Sequence, residues 1–349
     1  MAEQVRVLVV DDSAFMRSMI TKMLKEVPGL QVVDVGVDGE DAIQKVRTLR
    51  PDVVTMDVEM PKMNGLQALA VIMRSTPTPV IMLSSLTQQG ATTTIEALEM
   101  GAVDFVGKPS GTVSIDIHRV RDDLVNKILR ASKVHPTHLA TLSAPHTATA
   151  PLVMPVASRQ PIGHSRVVAI GTSTGGPKAL NEVIPRLPAN LPAAVLVVQH
   201  MPAGFTRALA QRLNDLSPMA VREAAAGDAL QSGVVLVAPG DFHMAVLPGG
   251  RIGLNQEAPV HNVRPAVDVL FASVARVYGR DGVGVVLTGM GSDGADGATA
   301  IKRSGGHVIA QDEATSVVFG MPRAVVEARA SDVVAPLPRV ADEIVRALS

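Results

Sequence analysis

The sequence predicts two α/β domains, each built on a mostly parallel sheet with helices on both faces. Over residues 1–130, short apolar runs alternate with amphipathic helical patterns, and the same alternation resumes at residue 166. Such alternation is typical of doubly wound parallel sheets. The length of 349 residues also favours two domains, because single hydrophobic cores stop growing before this size.

The first domain, residues 1–130, is predicted to contain five strand–helix units, and four of the helices show a clear apolar period. Apolar positions at the 3.6-residue period predict helices over 16–27, 42–49, 66–73 and 117–128. Apolar runs predict the strands 5–10, 31–36, 52–57, 79–84 and 104–108. In a 2-1-3-4-5 strand order the first and third strands would be neighbours.

Residues 131–165 interrupt the pattern and are predicted to form a linker. The stretch has no Asp, no Glu and no aromatic residue, and prolines recur among Ala, Thr, Ser and His. This composition cannot bury enough apolar area to offset the entropy lost on ordering. We therefore expect a semi-extended connection between two folded domains.

The second domain, residues 166–349, is predicted to be mostly parallel with one antiparallel excursion. Helices are expected to begin near residues 177, 205, 266, 295 and 322. Residues 244–247 and 252–254, joined through Pro-Gly-Gly, predict a β-hairpin. The other strand candidates are 166–171, 194–199, 234–239, 283–288, 307–311 and 332–335.

Composition excludes several function classes. A net charge of −1 and 2% aromatic residues provide neither the basic field nor the stacking surfaces that bind nucleic acid. The absence of Cys excludes disulfides, thiolate metal sites and a Cys nucleophile. The first residues lack a basic signal-peptide start, and charges interrupt every apolar run well short of 18 residues. We expect a cytoplasmic protein without direct membrane insertion.

Polar side chains cluster where the strands of the first domain end. Asp11 and Asp12 follow the first strand, Asp57 the third, Ser84 the fourth and Lys108 the fifth. Because these ends share one sheet edge, the three carboxylates would repel one another unless a hard cation such as Mg²⁺ bound there. Asp57 could then accept a phosphoryl group, with Lys108 and Ser84 contacting its oxygens. The alternative is that each Asp only caps a helix.

These residues stand in the stretches VVDDS (9–13), MDVEMP (56–61) and GKP (107–109), which resemble two-component receiver domains. The resemblance covers residues 1–128 and implies a flavodoxin-like fold. It also implies Mg²⁺ held by the three carboxylates and phosphotransfer from a histidine kinase to Asp57. Ser84, Phe105 and Lys108 would form the switch that responds to phosphorylation. The family often has Asp where this chain has Asn64, and we expect little consequence.

Ser173 lies in a sharp-turn motif that follows an apolar strand. Residues 171–177 are GTSTGGP, which matches the G-x-S-x-G nucleophile elbow. The glycines permit a strand-to-helix turn, and Pro177 suits the first helical position. Backbone N–H groups at the helix start, with Thr174 nearest, could stabilise an oxyanion. Alone, the motif is a weak signal.

A serine nucleophile needs a base and an orienting acid. His200 ends the next predicted strand, and sequential parallel strands usually lie close. We expect Asp293, just past a later strand, to orient His200, and the Met290 N–H to be a second oxyanion donor. The chain order Ser, His, Asp differs from that of α/β-hydrolases.

Two other interpretations of the second domain remain open. An α/β-hydrolase order would use Asp268 as acid and His307 as base. The stretch 289–294, GMGSDG, matches G-x-G-x-x-G, and Asp312 lies near the position of a ribose-binding acid. A dinucleotide site, however, would come late in the domain and leave Ser173 and His200 unexplained.

Together with APGDFHM (238–244) and HNVRPAVD (261–268), the second-domain stretches resemble the catalytic domain of the chemotaxis methylesterase family CheB. The resemblance implies Ser173 as nucleophile, His200 as base and Asp293 as orienting acid, with no metal in this domain. It implies hydrolysis of glutamate γ-methyl esters, and deamidation of glutamines, on methyl-accepting chemoreceptors. A chemotaxis histidine kinase would be the phosphodonor, and the receiver would cover the esterase cleft until phosphorylated.

Two other function classes compete with this enzyme. One is a receiver-linked, receptor-binding module without catalysis. The other is a DNA-binding response regulator, which the net charge and the lack of an evident helix-turn-helix disfavour. On the enzyme hypothesis Arg264 and His261 are candidate contacts for an acidic receptor helix, and His243 is expected to be structural.

Overall fold

A computed structural model describes residues 4–85, 87–108, 116–134 and 166–349. The chain divides into two compact units, Met1–His146 and Thr147–Ser349. Most of the predicted linker, residues 135–165, lies outside the described residues. None of the described helices combines the length and the apolar character needed to cross a bilayer.

The first unit contains a parallel five-stranded sheet in the predicted order β2-β1-β3-β4-β5. Its central strands are largely buried apolar runs, because helices cover both faces of the sheet. The strands are β1 (Val5–Val10), β2 (Leu30–Gly36), β3 (Val53–Asp57), β4 (Val80–Ser84) and β5 (Asp104–Gly107). The helices are α1 (Ala14–Lys25), α2 (Gly39–Leu49), α3 (Gly65–Ser75), α4 (Gln88–Glu99) and α5 (Asp116–Ala131).

Polar side chains at the strand-to-helix turns begin the helices of this unit. Ser13, Asp38 and Thr87 each accept a hydrogen bond from a first-turn backbone N–H of the helix that follows. Asn64 does the same for α3 and forms a reciprocal capping box with Gln67. An amide oxygen caps a helix as a carboxylate does, which accounts for Asn at a position where receivers often have Asp.

The second unit contains a seven-stranded parallel sheet in the order β14-β13-β12-β6-β7-β9-β8, with a separate antiparallel hairpin β10-β11. This confirms the predicted mostly parallel, doubly wound arrangement. The strands are β6 (Arg166–Thr172), β7 (Ala193–Gln199), β8 (Ala220–Glu223), β9 (Val234–Val237), β10 (His243–Leu247), β11 (Arg251–Asn255), β12 (Gly282–Val286), β13 (His307–Gln311) and β14 (Val333–Ala335). The helices are α6 (Gly176–Val183), α7 (Phe205–Leu216), α8 (Val267–Tyr278), α9 (Ala295–Arg303), α10 (Met321–Glu327) and α11 (Leu337–Ala347).

The sequence pattern did not identify three elements. Strand β8 is a four-residue edge strand that includes Arg222 and Glu223, so no apolar run marks it. Helix α4 buries small or polar residues such as Gly90, Ala91 and Thr94, which leave a faint apolar stripe. Helix α11 buries apolar residues at helical spacing, so its sequence carries the usual helical signal although no helix was predicted there.

The order of the second sheet positions the candidate site. Strands β12, β6 and β7 are neighbours, so the segments that follow them lie at one edge of the sheet. Ser173 follows β6 and His200 follows β7 directly, and Asp293 lies between β12 and α9. Open parallel sheets place their functional sites at this edge.

Candidate active site and phosphoacceptor site

Three carboxylates and a lysine meet at the carboxyl edge of the first sheet. One oxygen from each of Asp11, Asp12 and Asp57 lies within 4.8 Å of the other two. Lys108 Nζ lies 2.6 Å from Asp57 Oδ2 and 2.9 Å from Asp11 Oδ2. Asp57 and Asp11 are buried, whereas Asp12 is exposed to solvent.

The electrostatics of this cluster favour a bound cation. Burial raises the pKa of Asp57 to about 6, although Lys108 opposes the shift, and the charge of Asp11 adds to it. Burial disfavours the charged Lys108 ammonium, but its contacts with Asp57 and Asp11 outweigh that effect and raise the pKa of Lys108. Asp11 Oδ2 is buried and is contacted by the Lys108 ammonium. One ammonium does not balance two buried carboxylates with a third beside them, and such a set of carboxylate oxygens fits a hard oxygen-seeking ion such as Mg²⁺.

Two of the three predicted switch residues, Ser84 and Phe105, are held by neighbouring elements. The Ser84 hydroxyl accepts a hydrogen bond from the Thr94 hydroxyl at 2.8 Å and lies 3.2 Å from the Gly90 carbonyl, so in this structure it is bonded to α4. Phe105 is buried, and Lys127 Nζ lies 5.4 Å from the centre of its ring. The same ammonium donates to the Phe105 carbonyl at 2.6 Å.

In the second unit, Ser173 lies in a tight turn between β6 and α6. Its backbone N–H donates to the Thr288 carbonyl at 3.1 Å, and its carbonyl accepts from the Gly176 N–H at 2.8 Å. Gly175 has a φ of 78°, a conformation that side-chain-bearing residues rarely adopt. A Cβ on Gly176 would lie 2.0 Å from Gln199 Oε1, so only glycine fits this turn.

His200 lies beside Ser173 and pairs with Asp293. Thr172 and Gln199 are register partners at the ends of β6 and β7, and the His200 N–H donates to the Thr172 carbonyl at 3.1 Å. His200 Nε2 lies 2.7 Å from Asp293 Oδ2. Because a carboxylate only accepts, Nε2 carries the proton and Nδ1 keeps a basic lone pair. Within the described residues no hydrogen bond joins the Ser173 hydroxyl to the His200 ring.

Asp293 is held at the N-terminus of α8. Its oxygens accept from the Val267 N–H at 2.7 Å and from the Asp268 N–H at 2.9 Å, in addition to His200. Burial alone would raise the pKa of Asp293, but the hydrogen bond and charge of His200 and the two backbone N–H groups lower it below its usual value. The carboxylate is therefore kept ionised and fixed in orientation.

Asp268 accepts backbone hydrogen bonds at the start of α9, as Asp293 does at the start of α8. Its Oδ1 accepts from the Gly294 N–H at 3.0 Å and the Gly297 N–H at 2.7 Å, at the start of α9. Its Oδ2 lies 2.8 Å from His261 Nε2. Burial raises the pKa of Asp268, and the charge of Asp293 adds to the rise. No sequence pattern indicates this capping role, because the N–H groups that Asp268 Oδ1 accepts belong to the backbone of a distant segment.

The two expected oxyanion donors flank the serine. Thr174 follows Ser173 directly, and its carbonyl accepts from the Thr288 hydroxyl at 3.0 Å, which fixes the peptide plane. Gly289 packs so closely that a Cβ there would lie 2.9 Å from Ser173 Cβ. Met290 is the next residue, so its backbone is brought near the same serine.

Asp268 and His307, the alternative acid and base of an α/β-hydrolase, lie at opposite edges of the sheet. His307 is the first residue of β13 and lies at the amino edge of the sheet, 3.7 Å from Asp332. Asp268 lies near the opposite edge, at the start of α8. Asp312, the ribose-binding candidate, caps its own turn through the Thr315 N–H and hydroxyl.

The two residues expected to contact a receptor, Arg264 and His261, are hydrogen-bonded within the second unit. The Arg264 guanidinium donates to the carbonyls of Gln256 and Glu257, at 3.0 and 2.9 Å. His261 is bonded to Asp268, as described above. His243 is buried, and both ring nitrogens contact backbone groups, of Ala258 and Ala266, as a structural histidine requires.

Comparison with known proteins assigns both units. Residues 168–344 match the CheB methylesterase family, and residues 7–118 match the response regulator receiver domain. A protein-glutamate methylesterase/protein-glutamine glutaminase from Symbiobacterium thermophilum is 52% identical, with 99% of this chain and 97% of that protein aligned. The chain belongs to the CheB methylesterase family.

A second curated relative matches nearly the whole chain, and a solved structure matches its second half. A protein-glutamate methylesterase/protein-glutamine glutaminase from Pyrococcus abyssi is 49% identical, covering 99% of this chain and 94% of its own length. The crystal structure of the Thermotoga maritima CheB methylesterase catalytic domain is 44% identical with a TM-score of 0.51. It covers 52% of this chain and 98% of that domain. The fold and the class of enzyme, a carboxylic ester hydrolase joined to a receiver domain, are thereby established.

Proposed function

We propose that this chain hydrolyses glutamate γ-methyl esters on methyl-accepting chemoreceptors and also deamidates receptor glutamines. The names of its relatives support both activities. The observation that carries the proposal is the 2.7 Å contact between His200 and Asp293, beside the turn that presents Ser173. These three residues are proposed as nucleophile, base and orienting acid.

The proposed reaction proceeds in two steps. Ser173 Oγ attacks the ester carbonyl while His200 Nδ1 takes the hydroxyl proton, and Asp293 stabilises the resulting imidazolium. The N–H groups of Thr174 and Met290 stabilise the tetrahedral oxyanion. His200 then protonates the leaving methoxide, which departs as methanol. Water attacks the acyl-serine by the reverse route and releases the glutamate carboxylate.

Phosphorylation of the first unit is proposed to control this reaction. Asp57 Oδ attacks the phosphoryl group of a chemotaxis histidine kinase and forms an aspartyl-phosphate. Asp11, Asp12 and Asp57 would hold Mg²⁺, which supplies charge neutralisation to the transferring group, and Lys108 contacts the phosphoryl oxygens. The phosphoryl group carries about −1.5 to −2 charge, in place of the single charge of the carboxylate, and biases the switch at Ser84 and Phe105.

The same proposal gives each of three segments of the chain a separate role. Residues 1–130 act as receiver, 131–165 as linker and 166–349 as esterase. The unphosphorylated receiver is proposed to inhibit the esterase, and phosphorylation relieves that inhibition.

Methanol release from methylated receptor membranes tests the proposal. We expect release by the full chain, and faster release when a small-molecule phosphodonor and Mg²⁺ are added. A chain that binds the membranes but releases no methanol under either condition would instead be a non-catalytic receptor-binding module. Asp57→Asn is the matched control, because it should abolish the response to phosphodonor and keep the basal rate.

A further inference from the structure

A buried glutamine lies directly beneath the serine and the histidine of the proposed site. Gln199 is the last residue of β7 and is 2% exposed. Its Nε2 donates to the carbonyl of Ser173 at 2.9 Å and to the carbonyl of His200 at 3.1 Å. One carboxamide therefore joins the backbone of both residues, which are 27 positions apart in the chain.

The orientation of this carboxamide is fixed by its surroundings. Both Nε2 hydrogens are used on the two carbonyls, whereas Oε1 is buried and has no hydrogen bond among the described residues. Turning the amide over would place Oε1 against two carbonyl oxygens and leave the NH₂ group in the position without a partner. The unsatisfied oxygen costs free energy, so the two donated bonds must compensate for it.

Packing holds the serine turn against the same group. A Cβ on Gly176 would lie 2.0 Å from Gln199 Oε1 and 2.5 Å from Thr172 Oγ1. Thr172 Oγ1 in turn donates to the Thr288 carbonyl, which also accepts the Ser173 N–H. Ser173 is thus tied through its N–H to the β12 side and through its carbonyl to β7.

We infer that Gln199 is a positioning residue that sets the separation of the nucleophile and the base. The inference rests on the proposed roles of Ser173 and His200. Their side chains are not hydrogen-bonded to each other in this structure, so the backbone ties at both residues determine how closely the Ser173 hydroxyl and His200 Nδ1 approach. Gln199 itself does not contact substrate.

The first test replaces Gln199 by the similarly sized but apolar Met in the full chain. With phosphodonor and Mg²⁺ present, we expect kcat for methanol release to fall about 10- to 100-fold, because small misplacements of reacting groups cost this much, while KM changes little. The matched control is Ser273→Ala, which removes a buried side chain that bonds Val246 and Leu270 away from the site. It should lower the melting temperature and leave kcat unchanged.

Ser173→Ala, assayed in parallel, distinguishes failure of the proposed function from failure of the positioning role. If this variant keeps wild-type methanol release, the proposed function itself fails. If it is inactive while Gln199→Met retains wild-type kcat, or loses activity only through a higher KM, the positioning role is overturned.

Gln199→Glu provides a second readout that a purely structural role would not change. A protonated carboxyl group at this position can donate one of the two bonds, whereas the ionised carboxylate repels both carbonyl oxygens. The ratio of the variant's kcat to that of wild type should therefore rise as pH falls. A ratio independent of pH would contradict the inference, even if Gln199→Met does not fold.

Discussion

At the residue scale, the candidate site is organised by carboxylates and amides whose partners are backbone groups. Strand-end position and residue type were enough to predict Ser173, His200 and Asp293 as candidates, because parallel strands deliver their ends to one edge. The same reasoning could not predict the roles of Gln199 and Asp268. Gln199 bonds the carbonyls of Ser173 and His200, and Asp268 Oδ1 accepts backbone N–H groups at the start of α9; backbone groups carry no sequence signal.

His261 supplies a prediction of pH dependence at the same scale. Its hydrogen bond to Asp268 raises the pKa of His261, with the charges of Asp293, Asp268 and Asp296 adding to the rise against partial burial. A raised histidine pKa stabilises the fold fully below about pH 6.5 and progressively less as pH rises through the folded-state value. His261→Gln should therefore lose stability relative to wild type near pH 5.5, and the deficit should shrink by pH 8.5. Denaturant unfolding measures it, and a deficit that grows with pH would contradict the assignment.

At the element scale, helices α8 and α9 cap each other. Asp293, which precedes α9, accepts the first N–H groups of α8, and Asp268 of α8 accepts the Gly294 and Gly297 N–H groups at the start of α9. Periodicity predicted where both helices begin, near residues 266 and 295. It could not predict that each start is satisfied by the other helix, since that depends on how the two pack.

Removing the Asp268 carboxylate tests how much this reciprocal capping contributes to stability and activity. Asp268→Ala should cost about 0.5–2 kcal/mol of unfolding free energy, the usual range for a lost helix cap. It should also lower kcat, because the segment that carries Asp293 loses its anchor. Asp228→Ala is the control, since Asp228 accepts the Ala225 N–H in a surface turn of the same unit. A wild-type kcat in a destabilised Asp268→Ala protein would show that the reciprocal capping contributes to stability but not to catalysis.

At the scale of the whole molecule, two doubly wound sheets present their sites at carboxyl edges. The alternation of apolar strands with amphipathic helices predicted the fold class. The change of composition after residue 130 predicted the division into two domains. The edge strand β8 was not, because a strand of four residues with two charges is defined by its neighbour β9 rather than by its own pattern.

Removing residues 1–130 tests the proposed restraint by the receiver. The second unit is compact by itself, and the similar Thermotoga maritima catalytic domain was solved without its receiver. We expect the shortened protein to release methanol faster than the unphosphorylated full chain and to ignore phosphodonor. An equal or lower rate from folded protein, checked by circular dichroism, would argue against inhibition.

The most direct measurement for the whole account is methanol release by the Ser173→Ala protein, with phosphate incorporation at Asp57 followed in the same samples. We predict that ester hydrolysis disappears while Mg²⁺-dependent phosphorylation continues at the wild-type level. Hydrolysis that persists without the hydroxyl at position 173 would contradict the central claim that this serine is the attacking group.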